Sequence, residues 1–374
     1  MAEFSKYVGL DVHKEKINVA VADKGRGQPR YWGEIQNRPE AVNRLLAQLS
    51  VGGKRVRVCY EAGPCGYELY RRIVAAGHDC AVVAPALIPR KPGERIKTNR
   101  RDSLSLARLD RAGELTPVWV PNAEQEAMRD LSRAREDMKI LDKQLRQRLN
   151  GFLLRHGRIY SGRGRWTQAH WRWLETQRFD SPYQQITLGE YSQAVQAAQA
   201  RTAGLERQLH EASESWSLGA AARAAMALRG VDRTAAITLL AELDDLSRFQ
   251  NPRELMGYVG LVPSEYSTGD RRRQGALTKA GNAHARRILV ECAWAYRFPA
   301  RQTARIQRRA EQTPAAVQAI AWHAQKRLCG RFRRLRARGL STPKTVTAIA
   351  RELCGFLWAV VYEVQRPGTF PAPA

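Results

Sequence analysis

Lys6-Tyr-Val-Gly-Leu-Asp-Val-His-Lys-Glu-Lys-Ile-Asn-Val-Ala-Val-Ala-Asp23 is the stretch on which the fold of this chain turns. Its pattern predicts a β-hairpin: one arm Tyr7 to Val12, a polar turn His13–Lys16, and a second arm Ile17 to Ala22. Both arms are mostly apolar and rich in β-branched residues, as expected of strands covered on both faces. One carboxylate, Asp11, interrupts the first arm. Asp is depleted in strands and costly to bury without a partner. It either caps the turn or serves as a metal ligand held on a rigid sheet, and the surrounding chain has to decide.

Downstream, Arg30–Ile35 predicts a third antiparallel strand. Pro39–Ser50 has helical spacing at Val42, Leu45, Leu46 and Leu49. Arg55–Tyr60 alternates strictly and runs into Glu61, a Gly/Pro turn and a helix over Tyr67–Ala76. A carboxylate at the C-terminal end of such a strand is well placed for catalysis in α/β sheets, although a surface turn would read the same way. A strand over Asp79–Ala84, a basic loop Pro89–Arg101 and a helix opening near Asp102 complete the order β-β-β-α-β-α-β. That order resembles a ribonuclease-H-like fold, whose first acid lies on the first strand and second on the fourth, with those strands adjacent. Asp11 and Glu61 would then face one cleft and could bridge one or two Mg²⁺ ions.

Asn99 and Asp102 stand three apart at a helix start, so both could reach the same ion. Asp102 could equally be a helix cap. Capping leaves the neighbouring cations Arg90, Lys91, Arg95, Lys97, Arg100 and Arg101 unexplained, whereas a phosphate backbone accounts for them. The whole chain carries a formal net charge of +26 over 374 residues, with 44% hydrophobic content. That describes a globular protein of two or three domains with a polyanionic partner, nucleic acid before membrane, because the charge is spread along the length. The six cysteines show no paired metal-ligand spacing, which predicts reduced, mostly buried thiols. No signal peptide is expected, and the apolar run Gly355–Tyr362 is too short to cross a bilayer, so a cytoplasmic, nucleoid-associated protein is expected.

From Glu124 to Leu154 apolar residues recur every three or four positions, predicting a long amphipathic helix. A break over Gly157–Trp173 and a second long helix over Tyr183–Ser215 predict an antiparallel coiled-coil arm, a spacer or, preferably, an oligomerisation device. Within the break, Arg163-Gly-Arg-Trp-Thr-Gln-Ala-His-Trp-Arg-Trp173 fits stacking on nucleotide bases or packing of the arm's tip equally well. Leu228–Leu240 resembles a helix-hairpin-helix element whose turn offers backbone N–H groups to phosphate. A helix over Phe249–Tyr258 then leads into the loop Val259–Asn282, with Ser267 and Thr268 beside Gly269. Between 271 and 338 eighteen Lys and Arg face only Glu291 and Glu311, a composition suited to phosphates.

Gly9-Leu-Asp-Val-His-Lys14, Tyr60-Glu-Ala-Gly63, Lys97-Thr-Asn-Arg-Arg-Asp102 and the loop 259–282, in this order and at these distances, resemble the DEDD insertion-sequence transposases (the "IS one-ten" family). The resemblance implies RNA-guided recombinases with an N-terminal RuvC-like domain (1–122), a coiled-coil arm (123–215), a mostly helical C-terminal transposase domain (216–366) and a disordered tail, 367–374. It implies that Asp11, Glu61, position 99 and Asp102 hold Mg²⁺, in a two-ion site. Asn99 departs from the family's Asp and brings no charge. It further implies that a serine, Ser267 with Thr268 in reserve, attacks DNA to form a covalent phosphoserine; nothing in the local sequence supplies a base, and the resemblance implies that the metal-bearing domain, of this or another subunit, meets the loop at the scissile phosphate. Implied partners are DNA, a structured noncoding guide RNA and further copies of the chain, as a dimer or tetramer. Lys97, Arg100, Arg101, Arg271, Arg272, Arg273, Lys279, Arg286 and Arg287 are the expected nucleic-acid contacts. The competing readings are a RuvC-like junction nuclease that uses water, and a catalytically silent nucleic-acid-binding protein.

Overall fold

The structure is a computed structural model that describes residues 4–89, 98–268, 271 and 273–365. The chain divides into two compact units, Met1–Val120 and Pro121–Ala374. In the first, β1 (Lys6–Val12), β2 (Lys16–Asp23) and β3 (Arg30–Gln36) are followed by α1 (Pro39–Leu49), β4 (Val56–Glu61), α2 (Glu68–Ala75), β5 (Asp79–Val83) and α3 (Asn99–Ala112). The sheet order is β3-β2-β1-β4-β5. The opening hairpin is antiparallel, while β4 joins β1 and β5 joins β4 in parallel, as connections through a helix allow. Predicted and observed boundaries agree within a few residues, and the order is the one the hydrophobic pattern implied.

Each face of this sheet has its own chemistry. Val8, Leu10, Val19, Val21, Val58 and Tyr60 point to one side and are sealed by Val42, Leu45, Leu46, Leu49, Leu69 and Ile73 of α1 and α2. The opposite side is lined with small residues, Gly9, Ala20, Ala22, Cys59 and Ala81, and receives α3 through Leu106 and Ala107. The approach is close: a Cβ on Gly9 would stand 2.3 Å from the Ser103 carbonyl oxygen and 2.5 Å from the Ala107 nitrogen. No side chain fits there without moving the helix.

The second unit opens with α4 (Ala123–Arg155), α5 (Gln168–Thr176) and α6 (Pro182–Ser215). The long helices α4 and α6 pack antiparallel: Trp216 Nε1 donates to Gln125 Oε1 near one end, and Phe152 meets Tyr191 near the other. The short helix α5, which the spacing does not mark, begins inside the predicted break Gly157–Trp173 and runs on to Thr176. After the arm come α7 (Gly219–Ala225), α8 (Arg233–Leu243), α9 (Pro252–Tyr258), the two-stranded β6 (Pro263–Glu265) and β7 (Gln274–Leu277), then α10 (Ala283–Ala293), α11 (Ala304–Glu311), α12 (Ala315–Ala337) and α13 (Thr342–Gln365). Among the described residues α13 is the one helix long and apolar enough to cross a membrane, longer than the run 355–362 indicated. It instead forms the spine of this unit's core, with Val346, Ile349, Leu353, Leu357, Val360 and Val361 almost fully buried against its neighbours.

The turn between α7 and α8 is the predicted helix-hairpin-helix region. One of its start-of-helix donors is already engaged, the Ala235 N–H donating to the Asp232 side chain, while the Arg233 guanidinium donates to the His210 carbonyl. The expected tail 367–374 lies outside the described residues.

Candidate active site

The parallel pairing of β1 with β4 matches Lys6 to Val56 and ends at Leu10 with Tyr60. Asp11 and Glu61 are the next residue on each strand. By alternation both belong to the face of Gly9 and Cys59, the face that α3 covers. The direction of α3 follows from its contacts. Leu106 and Ala107 lie over Gly9, and Asp110, a turn further on, meets Arg57 near the start of β4 at 3.0 Å. The first turn of α3, with Asn99 and Asp102, is therefore carried toward the strand ends that bear Asp11 and Glu61. Thr98 caps this turn by accepting from the Arg101 N–H at 3.3 Å, and an acid in the first turn is favoured by the helix dipole.

The surroundings of Asp11 are polar. His13 Nε2 lies 3.0 Å from Asp11 Oδ2, a second contact the sequence reading had not assigned. Asn18, paired across the hairpin with Asp11, is buried and accepts from the Tyr31 hydroxyl at 2.7 Å, and the Arg100 guanidinium sits 5.1 Å above the Tyr31 ring. Arg100 thus has an aromatic support, and Arg101 is exposed beside it. Lys97, together with Arg90, Lys91 and Arg95, lies outside the described residues. Three carboxylates and one amide are hard oxygen donors, the set a magnesium-like cation takes. Among the described residues, however, no three His, Cys, Asp or Glu side chains are drawn into a ligating cluster.

The opposite end of the same helix shows what a closed acidic site looks like here. Arg57 donates to Asp110 and, at 2.6 Å, to Asp79. Asp110 is almost fully buried, and burial raises its carboxyl above the ordinary value although Arg57 pulls the other way.

Within the predicted loop 259–282 the short strands β6 and β7 pair as a hairpin, which the sequence did not mark. It closes where two chain segments cross. The Lys279 N–H donates to the Gly260 carbonyl, the Thr278 N–H donates to Val262, and Arg286 holds both the Val259 and Ala280 carbonyls. A Cβ on Gly281, whose φ is +71°, would fall 1.8 Å from the Tyr258 carbonyl oxygen, so the crossing requires glycine. Behind it, Glu242 is buried and takes Arg133 of α4 at 2.7 and 2.9 Å and Asn282 at 2.6 Å. Asn282 in turn caps α10 by accepting from Ala285.

Ser267 is exposed on the outgoing arm, and its hydroxyl donates to Glu265 Oε1 at 2.8 Å. A carboxylate thus stands beside the hydroxyl, where no local group able to take its proton was expected. The signal was available: in an extended segment residues i and i+2 share a face. Thr268 is exposed too and is bridged through its backbone to Arg271. Arg271, Arg273 and Lys279 are exposed, while Arg272 lies outside the described residues. Arg286 and Arg287 are employed internally. Arg287 pairs with Glu136 and Glu291, each at 2.7 Å. Burial alone would raise the Glu136 carboxyl, but His284 and Arg287 hold it below its ordinary value.

A family of DEDD transposases of the IS110 type matches residues 8–157, and the transposase family described as IS116/IS110/IS902 matches residues 222–308. A Sinorhizobium fredii protein whose name gives it as a transposase is 50% identical over 96% of this chain and 89% of its own length. The transposase for insertion sequence element IS1533 of Leptospira borgpetersenii is 31% identical over 88% of this chain and 96% of its own. The transposase for insertion sequence element IS1328 of Yersinia enterocolitica is 25% identical over 77% of this chain and 83% of its own.

Proposed function

Because the chain belongs to the IS110-type insertion-sequence transposases, enzymes that cut and rejoin DNA, we propose that Ser267 is its nucleophile and the acid edge of the first unit its metal-binding half. The observation that carries the serine reading is the exposed Ser267 hydroxyl already donating to Glu265. A free hydroxyl is a poor nucleophile and needs a base to take its proton. In the proposed step Ser267 Oγ forms a bond to phosphorus and its proton passes to Glu265. The bond from phosphorus to a sugar oxygen breaks, and that oxygen takes a proton from solvent water, to which Glu265 in turn gives up the serine's proton. Attack of another strand's sugar hydroxyl on the phosphoserine reverses these changes and rejoins the DNA.

Asp11, Glu61 and Asp102, with Asn99 as a neutral fourth donor, would hold one or two Mg²⁺ ions, which neutralise charge on the phosphoryl oxygens. Arg100, Arg101, Arg271, Arg273 and Lys279 are the exposed cations best placed to hold DNA or RNA backbones, with Lys97 and Arg272 assigned beside them on sequence alone. The net charge of +26 supports such a partner. The family resemblance extends the reading to a noncoding guide RNA, to an oligomer joined through the α4–α6 arm, and to the domain limits 1–122, 123–215 and 216–366.

Incubating the protein with its element's end DNA and Mg²⁺, then running a denaturing gel, tests the serine. A DNA-linked protein band is expected, absent in Ser267→Ala and retained in Thr268→Ala. Cutting by Ser267→Ala at the parent rate would overturn the serine reading in favour of the water-using nuclease. Sequencing RNA that copurifies with the protein tests the guide.

A further inference from the structure

The arm's tip carries a feature the transposition chemistry leaves unused. Between the end of α4 and α5 lies a cleft of about 160 Å³ whose walls include Tyr160, His170, Trp173, Arg158 and Arg165. Its rings pack on one another: Tyr160 meets His170 edge-on at 4.8 Å, and His170 stacks on Trp173 at 5.6 Å. His170 is 1% exposed, and its Nδ1 has no hydrogen-bond partner among the described residues. Burial, then Arg165, lowers its pKa, so the ring is neutral at pH 7, with one nitrogen to donate and one to accept. A buried polar group without a partner is costly, and a site that keeps one invites a ligand to complete it.

Two further observations set the tip apart from ordinary packing. Trp166 holds a positive φ of 68°, a backbone state that side chains of its size avoid. A Cβ at position 162 would strike the Tyr160 ring at 2.3 Å, so Gly162 is what lets that ring close the cleft. Exposed Leu154 and Ile159 continue the lining outward, with exposed Arg165 and Arg158 beside them, Arg158 donating one N–H to the Arg178 carbonyl; Arg163 and Arg172, close by in sequence, are exposed.

We infer that this cleft receives an unpaired nucleobase from bound nucleic acid, with the aromatic wall against its face, His170 at its polar edge, and the surrounding arginines on the flanking phosphates. An aromatic wall accepts any base, whereas cations around a cleft suit a ligand that is both flat and anionic. The inference rests on the proposed nucleic-acid partnership and adds a contact at the arm's tip.

The test uses full-length protein and two single-stranded probes of one sequence, DNA and RNA, carrying a photoreactive 5-iodopyrimidine at the central position. After irradiation, cross-linked peptides are mapped by mass spectrometry. Cross-links to Tyr160 or Trp173 are expected, and the stronger probe identifies which nucleic acid supplies the base. Tyr160→Leu should weaken the tip cross-link about fivefold or more, the size of one stacked base. Arg165→Glu, an exposed change that leaves the packed rings alone, should weaken it as well. Probe binding with cross-links only outside 150–173 overturns the inference and leaves the proposed function standing. Failure of both probes to bind at low salt sinks the inference and the proposed function together. Tip variants that change the oligomer's size while the cross-link persists elsewhere would show the cleft to be an interface between copies, again overturning it.

Discussion

The acid edge and the serine hairpin, the two halves of the proposed site, hold their side chains with opposite amounts of support: Asp11, Glu61 and Asp102 are partly buried and Ser267 is exposed. Asp11 and Glu61 end two central strands of a five-stranded sheet, and Asp102 opens a helix that lies so close to the sheet that Gly9 cannot carry a side chain. Ser267 stands on a two-stranded hairpin whose residues are largely exposed and whose security lies at its base, in Gly260, Gly281, Arg286 and the Glu242–Asn282 contact. Groups fixed on strands and helices hold geometry better than groups on loops. The difference therefore teaches a division of labour: the acids are prepositioned, and the hydroxyl is oriented by one local carboxylate.

The largest effect expected is at the acids. Asp11→Asn should lower cutting and rejoining on the order of 10³-fold or more, about 4 kcal/mol in the barrier, with the thermal midpoint of unfolding little changed. Quantified strand-transfer products and a melting curve check both halves. If Asp11→Asn cuts at the parent rate, the sheet edge is not the metal-binding half and the comparison breaks.

Next in size is a stability effect at the other end of α3. Arg57→Leu strands the buried Asp110 carboxylate and should cost about 3 kcal/mol of folding stability, measured by urea unfolding. The double change Arg57→Leu with Asp110→Leu should recover most of that loss, because no unpaired charge then remains. A smaller effect on rate is expected at the hairpin: Glu265→Gln keeps the hydrogen-bond acceptor and removes the base. Covalent adduct formation should fall about 100-fold, with no change in DNA affinity. If the adduct forms at the parent rate, the Glu265 contact is a turn feature with no part in activation.

The contrast between the two regions is also a contrast in what residue order reveals. The first hairpin, its buried alternation and the carboxylates interrupting it were legible because a strand with both faces covered has a strict pattern, and an acid in it stands out. The hairpin of β6 and β7 was not. Its strands are only three and four residues long, mostly exposed and without apolar alternation, so nothing in the periodicity marks them. The flanking glycines at 260 and 281 could be seen but not explained, since the carbonyls they pass come from segments about twenty residues away in sequence. Arg286 and Arg287 were read with the other cations; the Arg287–Glu291 pair is an i,i+4 contact that helical spacing could have shown, yet their other partners, Val259, Ala280 and Glu136, are set by the fold. Composition counts charges; only the fold shows which are already spent.

Acid separates the units by sign. Burial tends to raise Glu136, Glu206 and Glu242, but their partners hold all three below the ordinary 4.5. A carboxylate depressed in the folded state contributes stability that is present above its unfolded pKa and lost as pH falls through the folded value. The second unit should therefore lose stability progressively below about pH 4.5. Asp110, raised by burial, has the opposite sign: the first unit gains from it as pH falls through its folded value toward 3.8. Urea unfolding between pH 7 and pH 3, followed by hydrogen exchange resolved by segment, reads the two units separately. Parallel loss in both, or an unchanged profile in Glu242→Gln, would contradict this assignment.

The smallest effect expected is at Thr98, whose side chain accepts from the Arg101 N–H and fixes the turn that carries Asn99 and Asp102. Thr98→Ala should cost about 1 kcal/mol, the usual size of a lost helix cap. What matters is where that cost appears. Most of α3 is held by Leu106, Ala107 and Leu109 against the sheet, so the helix should stay folded and only its first turn should fray. Fraying there moves Asp102 and leaves Asp11 and Glu61 in place, so Mg²⁺ dependence should shift to higher concentration while activity at saturating Mg²⁺ stays near the parent value. The same 1 kcal/mol removed elsewhere on α3 should leave the Mg²⁺ curve where it was. Equal shifts from both changes would mean that Asp102 takes no part in holding the ion, and the acid edge would reduce to two strand ends.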